Sequence, residues 1–368
     1  MRVTRLQLRD FRNYERAEVE LSEGLTVVAG PNGAGKTNLL EAVYFGCTGR
    51  SPRTSSDREL VRRGASVARV VVDTADEETE HRLEAGFEPG EPKQLRVDGR
   101  AVDGFGALDA RPLLGVFMPE RLELVKGPPA VRRAHFDQLV VALWPSRAET
   151  RAAYSRALAQ RNALLVRVRN GAARPDALDA WEAELVRHGI QLIGNRREAI
   201  EGLRELFVEL AERLGLPGVA EVRYRPRSRA VDADGLTAEL AERRAADLER
   251  GFTAHGPHRD EVELRLEGES LRSFGSQGQQ RVALLALLFA ERRLLAARRG
   301  RSPLMLLDDV MSELDSQRRE LLAYLLRTEG QAVVTTTEPE HVPGAALAGG
   351  GSIRVEGGRI AGARAVAV

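Results

Sequence analysis

The chain has 368 residues, 55 basic and 54 acidic side chains, a net charge of +1 and a hydrophobic fraction of 43%. This length exceeds what one hydrophobic core usually supports, so two domains are expected. The near-neutral charge announces no polyanionic partner in bulk, and no apolar run reaches the 18 or so residues of a membrane span. Cys47 is the only cysteine, which excludes an intrachain disulfide and a cysteine zinc site. The N-terminus alternates apolar and polar residues instead of building a secretory leader, and a cytoplasmic protein is the simplest expectation.

Residues 3–8 and 17–21 alternate and predict an antiparallel strand pair. Leu25 to Ala29 predicts a buried strand, which runs straight into Gly30, Pro31, Asn32, Gly33, Ala34, Gly35, Lys36 and Thr37. That is a complete P-loop followed by a helical pattern from Asn38 to Tyr44. Its glycines let backbone N–H groups turn toward phosphate oxygens, Lys36 neutralises phosphate charge, and the Thr37 hydroxyl suits Mg²⁺. The basic side chains are nearly all arginine, so a lysine at this place marks a need for a compact ammonium. Further strands are expected at 68–73, 82–87 and 94–97, the last before an Asp98-Gly99 turn.

The middle of the chain reads as helical. Ser146 and Glu149 have the spacing of a capping box for a helix ending near Asn170, and a second long helix is expected from Pro175 to Leu214. Its stripe of Leu178, Trp181, Leu185, Leu192, Leu203, Phe207, Leu210 and Leu214 faces Tyr154, Leu158, Leu165 and Val168. A protruding coiled-coil arm and an ordinary helical subdomain both fit this pattern.

After residue 250 the β/α pattern returns, with strands at 262–266, 304–307 and 332–336 and a hairpin around 353–360. Asp308 and Asp309 end a four-residue apolar run, the position at which P-loop ATPases hold Mg²⁺ with the first acid and direct the attacking water with the second. Between these strands Ser276, Gly278 and Gln279 open a helix whose next residues are apolar nearly all round, so a rigid helix end offers N–H donors, a hydroxyl and an amide.

With the P-loop upstream and the acids downstream, this Ser-x-Gly-Gln segment resembles the signature motif of the ABC-type ATPases, which grip the nucleotide of a second subunit with it. Ser312 to Asp315 resembles their D-loop. Transporter subunits carry a histidine after the strand that follows the acids, but here that strand ends in Thr335, Thr336 and Thr337. SMC-type chromosome-organising ATPases carry far longer arms. Together with Leu6 to Tyr14, Pro119-Glu120, Gly127, Pro129, Arg132-Arg133 and Gly256 to Asp260, the whole chain resembles the RecF family of recombination mediators. The resemblance implies an α/β ABC-type ATPase head, with a P-loop mixed sheet, an antiparallel β subdomain and an inserted helical arm or lid. In that frame 1–125 and 251–368 form the ATPase domain and 126–250 the insertion.

It further implies that Gly30 through Thr37 bind ATP, that Thr37 and Asp308 hold Mg²⁺, and that Lys36, Asp308 and Asp309 serve hydrolysis. Ser276, Gly278 and Gln279 act on the partner's nucleotide in an ATP-dependent homodimer, and Ser312 and Asp315 act in the D-loop. It implies a bacterial protein that binds double-stranded DNA near gaps and, with RecR and RecO, helps load RecA in the repair and SOS responses, without a membrane partner. Asp309 is one methylene shorter than the glutamate of most ABC-type ATPases, which predicts slow hydrolysis. Arg12 and Asn13 are read either as contacts near the nucleotide or as a strand-end turn, and His258 either as a general base or as part of a turn. Arg50, Arg53, Arg58, Arg62 and Arg63, with Arg196-Arg197 and Arg243-Arg244, are read as DNA-phosphate contacts or as a solvated face.

Overall fold

Leu25–Ala29 is buried along its whole length, as a strand with no polar face must be. The computed structural model describes residues 1–105, 110–312, 314–344 and 351–364. Leu25–Ala29 lies inside a six-stranded sheet whose neighbours run, in order, Arg359–Arg364, Gly351–Glu356, Leu25–Ala29, Ala332–Thr336, Leu304–Leu307 and Leu114–Phe117. All pairings are parallel except that of the last hairpin, so the sheet is mixed, as expected. A second, antiparallel sheet orders Tyr14–Glu20, Arg2–Phe11, Ala68–Ala75, Glu80–Phe87, Gln94–Val97 and Arg100–Ala101.

The helix Lys36–Thr48 is buried on nearly every side, and one apolar core joins it to both sheets. Gly46 shows how closely: a Cβ there would meet Val72 Cγ2 at 2.3 Å. Cys47 is a core residue, and burial pushes its thiol up to about 12.

By compactness these elements form one unit, Met1–Arg121 with Arg213–Gly215 and Leu295–Val368; Leu122–Glu212 with Leu216–Leu294 form a second. Residues 251–294 thus group with the helical segment. The reason is local: Glu261–Leu266 pairs along its length with Ala220–Arg225, a strand the sequence pattern did not reveal, in a three-stranded sheet completed by Glu269–Ser270.

In the second unit the long helix is a single element, Asp179–Arg213, of 35 residues or about 50 Å. Its stripe is not free to project. Leu185, Val186 and Leu192 pack with Tyr154 and Ala157 and with Leu236 and Leu240 of a third helix, Ala233–Arg250. The stripe is thus packed as in a helical subdomain. The expected capping box at Ser146 does not form, because Pro145 starts a short 3-10 turn, Pro145–Arg147, that makes Ser146 helical too early to cap. Arg147 precedes the helix Ala148–Arg169 instead, without a side-chain cap.

Two buried arginines organise this unit. Arg161, with no exposed surface, holds Asp247 and Thr253 through Nη1 at 2.8 and 2.6 Å and Glu182 through Nε and Nη2 at 3.1 and 3.0 Å. Arg196 grips Asp137 at 2.7 and 3.0 Å, the Pro257 carbonyl at 2.7 Å and Asp260 at 3.2 Å. Arg132 makes a bidentate pair with Glu261 at 2.8 Å, and Arg133 reaches the Asp260 carbonyl at 2.8 Å. The words Arg132-Arg133 and Gly256 to Asp260, far apart in sequence, therefore meet as one structural staple.

His258 belongs to it and is no general base. Its Nε2 lies 3.0 Å from the Thr253 carbonyl, which can only accept, so Nε2 carries the proton and Nδ1 accepts from the Tyr154 hydroxyl at 2.7 Å. Burial pulls the imidazole from its ordinary 6.5 down to about 4. A depressed histidine is neutral in the fold while the unfolded chain takes up a proton below pH 6.5, so its contribution to stability is full above that pH and is lost as pH falls toward 4. His258→Gln, which keeps a donor and an acceptor but cannot titrate, is expected to flatten the melting temperature against pH between 6.5 and 4. Identical slopes for the two proteins would refute the assignment.

Candidate nucleotide site and signature motif

The P-loop joins the strand Leu25–Ala29 to the helix Lys36–Thr48, and its backbone leaves no room for side chains at two points. A Cβ on Gly30 would lie 2.2 Å from the Val355 carbonyl oxygen, and one on Gly35, at φ 118°, would lie 2.7 Å from Asn13 Nδ2. The loop is held by three neighbours. Asn13 Nδ2 and the Gly358 N–H donate to the Ala34 carbonyl at 3.0 and 2.8 Å, and the Tyr14 hydroxyl donates to the Gly35 carbonyl at 3.0 Å. Asn13 Oδ1 in turn accepts from Asn38 Nδ2 at 2.8 Å.

Lys36 Nζ curls back onto the carbonyls of Gly30 at 2.8 Å and Pro31 at 3.1 Å, two bonds that phosphate oxygens can replace. Burial lowers its pKa, against the opposing charges of Asp309 and Asp308. Thr37 Oγ1 stands 2.9 and 2.8 Å from the two carboxylate oxygens of Asp308, across 271 residues of sequence. Thr335 donates to Asp308 Oδ1 at 2.7 Å and accepts the Asp309 N–H at 2.9 Å. Asp309 takes a left-handed backbone, φ 46°, and its Oδ1 is buried without a hydrogen-bond partner among the described residues. A hydroxyl and a carboxylate converging beside a phosphate loop are the hard oxygen donors that Mg²⁺ prefers, so the residues fit that ion.

Arg12 is committed to protein. At φ 53° in the hairpin turn before Tyr14, it places Nε and Nη2 on the two oxygens of the fully buried Glu41 at 2.8 and 2.7 Å and Nη1 on the Glu59 carbonyl at 2.8 Å. Ser51 at 2.6 Å and Arg53 at 3.3 Å also reach Glu41, and Arg53 bonds Asn38 Oδ1 at 3.0 Å. Tyr14, Glu41, Thr335 and Gly358 were not marked by sequence reasoning. Their only signals were an aromatic after Asn13, an acid inside an apolar helix, a threonine run and a Gly-Gly turn.

At the signature, the Ser276 N–H donates to Gln279 Oε1 at 2.8 Å and the Gln279 N–H donates to Ser276 Oγ at 3.2 Å, a reciprocal cap on the helix Gln277–Arg299. Residues 276–278 are exposed and Gln279 is half-buried, while 282–290 are buried throughout. In the D-loop segment Ser312 Oγ donates to the Asp309 carbonyl at 2.9 Å, and Asp315 caps the helix Ser316–Thr328 through the Arg318 N–H at 2.9 Å; Glu313 lies outside the described residues.

The basic clusters divide sharply. Arg196 is only 2% exposed and spent on Asp137 and Asp260, so it cannot meet DNA as the sequence suggested. Arg244 is held by Asp179 and Glu182 and Arg62 by Asp10. Arg50, Arg58, Arg63 and Arg197 are exposed. Arg50, Arg53, Lys93, Ser51 and Thr54 line a surface cavity of about 540 Å³, with Asp57 as its one acid.

Comparison with known proteins places this geometry. Residues 5–103 match a family model described as an AAA domain. A solved SMC head bound to the winged-helix domain of ScpA superposes at a TM-score of 0.59 with 16% identity, covering 100% of this chain and 99% of that one. That likeness shows the fold: the ATPase head shared by ABC and SMC proteins. The sequence narrows it further. Proteins named DNA replication and repair protein RecF are 39% identical in Streptomyces avermitilis, covering 94% of this chain and 95% of the relative, and 39% identical in Chloroflexus aurantiacus, covering 98% and 99%. A solved structure of the recombination mediator RecF with ATP aligns at a TM-score of 0.86 and 26% identity over 99% of this chain and 97% of that one. The chain belongs to the RecF family.

Because Glu41 is a buried carboxylate shared by two arginines, Glu41→Ala strands both guanidinium groups. It is expected to lower unfolding free energy by about 3 kcal/mol in denaturant titration; a loss below about 1 kcal/mol would show the node to be dispensable.

Proposed function

We propose that the protein is an ATP-gated DNA-binding switch of recombinational repair, in which ATP holds two copies together on double-stranded DNA and slow hydrolysis releases them. The observation that carries the reading is the convergence of Thr37 and Asp308, which makes a P-loop and an acid 271 residues away into one site. In this reading Gly30 through Thr37 bind ATP, Asn13 braces the loop, and Arg12 holds Glu41 of the helix behind it. Lys36 exchanges its two carbonyl partners for β- and γ-phosphate oxygens. Thr37, keeping its hydrogen bond to Asp308, would hold Mg²⁺ together with that carboxylate, and the ion would supply positive charge against the phosphates. Asp309 orients a water for in-line attack on the γ-phosphorus and takes its proton, so ATP and water become ADP and phosphate.

Ser276, Gly278 and Gln279 meet the γ-phosphate of a second copy, and Ser312 and Asp315 approach that copy through the D-loop. The exposure of Ser276 and Gly278, beside a half-buried Gln279, at the end of a helix buried from Val282 onward supports this, because such an end offers donors outward. The functional division follows: 1–125 and 251–368 carry the ATPase parts and 126–250 the insertion. The solved relatives are described as recombination mediators in the RecFOR pathway, which supports a place beside RecO and RecR in loading RecA in the bacterial cytoplasm. No described helix is long and apolar enough to cross a membrane.

Sedimentation with and without ATP tests the switch: a monomer alone, a dimer with ATP, and a monomer in both conditions for Ser276→Arg. A wild-type monomer at saturating ATP would overturn the model. DNA is proposed to meet the cavity face through Arg50, Arg53, Arg58 and Arg63. Charge reversal at Arg50 and Arg63 is expected to weaken double-stranded DNA binding at least tenfold at low salt and to reduce the log–log salt slope by about 2. Unchanged affinity would remove that face from consideration.

A further inference from the structure

The hydroxyl of Thr335 is the only side-chain group among the described residues that bonds to both acids at the end of the strand Leu304–Leu307. Its position follows from register. Ala332–Thr336 lies between the P-loop strand and the acid strand, with Thr335 level with Val28 on one side and Val334 level with Leu307 on the other. Thr335 is therefore level with the residue after Leu307, which is Asp308. The next threonine serves another purpose: Thr336 donates to the Glu338 carbonyl at 3.0 Å and accepts its N–H at 3.1 Å, shaping the turn that follows.

One hydroxyl has one proton and two lone pairs, and Thr335 uses both functions at once. Its hydrogen bond goes to Asp308 Oδ1, which fixes the rotation of that carboxylate and leaves Oδ2 to accept from Thr37. Its lone pair receives the Asp309 N–H, in a residue whose φ of 46° lies in the left-handed region that side chains other than glycine seldom adopt. That bond holds Asp309 in the turned conformation, in which its Oδ1 has no partner among the described residues. The two acids thus share a single support, which is itself fully buried.

We infer that Thr335 is a positioning residue for hydrolysis, which locks Asp308 in its metal-facing rotation and Asp309 in its water-facing backbone at the same time. The inference rests on the proposed roles of the two acids. It predicts a split between binding and turnover: the P-loop takes nucleotide without Thr335, whereas the metal-dependent part of affinity and the chemical step need it.

Thr335→Val keeps the shape and β-branching but removes both bonds. ATP affinity measured in EDTA is expected to stay within about twofold of wild type, while the gain in affinity on adding Mg²⁺ and the value of kcat each fall about 10–100-fold, the range typical of groups that orient metal ligands. Thr335→Ser restores the hydroxyl and most of both losses. A purely structural role predicts equal loss of affinity with and without Mg²⁺, and no rescue by serine beyond its effect on melting temperature; either result overturns the inference. Should the valine variant fail to fold, the serine and alanine variants carry the same comparison. Asp308→Asn and Asp309→Asn separate the two levels. If both hydrolyse ATP normally, the reading of the acids fails; if both are inactive while Thr335→Val matches wild type in Mg²⁺ response and kcat, only the role of Thr335 fails.

Discussion

The structure depends on the parallel alignment of three short strands, Leu25–Ala29, Ala332–Thr336 and Leu304–Leu307, whose C-terminal ends lie level. Parallel strands need long crossovers, so residues at their ends are remote in sequence and adjacent in space. Everything that the site does follows from this. Thr37 opens the helix beyond the loop that follows the first strand, Asp308 and Asp309 follow the third, and Thr335 is the last residue but one of the strand between them. Ligands in open α/β sheets gather at such carboxyl ends because loops there converge without competing for ladder hydrogen bonds.

Much of this was legible in the residues. The P-loop, the acid pair and the signature are short words whose chemistry is local, and each proved to sit on the element its pattern implied. Burial decided where the reading went astray. Arg196 looked like half of a basic surface pair, yet one helical step separates a buried guanidinium from the exposed Arg197, and charge alone does not tell them apart. The arm pattern had the same weakness, since an apolar stripe of this length shows that a partner exists but not that a third helix completes it. That helix, Ala233–Arg250, carried readable ends, Asp232 as its N-cap and Gly251 at φ 78° after it, but its sparse apolar positions hid it. Ala220–Arg225 and Leu114–Phe117 were hidden because each is a short run that only a distant strand makes regular.

Two kinds of arginine coexist in this chain. In the second unit Arg132, Arg161 and Arg196 are internal cross-braces, each tied to acids that are remote in sequence. Such buried pairs add little net stability, but an unpaired member is costly, so they enforce one arrangement of helices. Around the P-loop helix Arg12 and Arg53 share Glu41, while Asn13 and Asn38 connect the nucleotide loop to Arg53 at the rim of the basic cavity by hydrogen bonds alone.

The hairpin at the end of the chain has a consequence for biosynthesis. Both sheet neighbours of the P-loop strand, Ala332–Thr336 and Gly351–Glu356, and the Gly358 N–H that holds the Ala34 carbonyl are translated some 300 residues after the loop itself. At about 5–20 residues per second that interval is roughly 15–60 s. During it the loop has no sheet to support it, and a nascent chain cannot assemble this site. The strands translated late therefore complete the support of a loop that is among the first parts of the chain to be made.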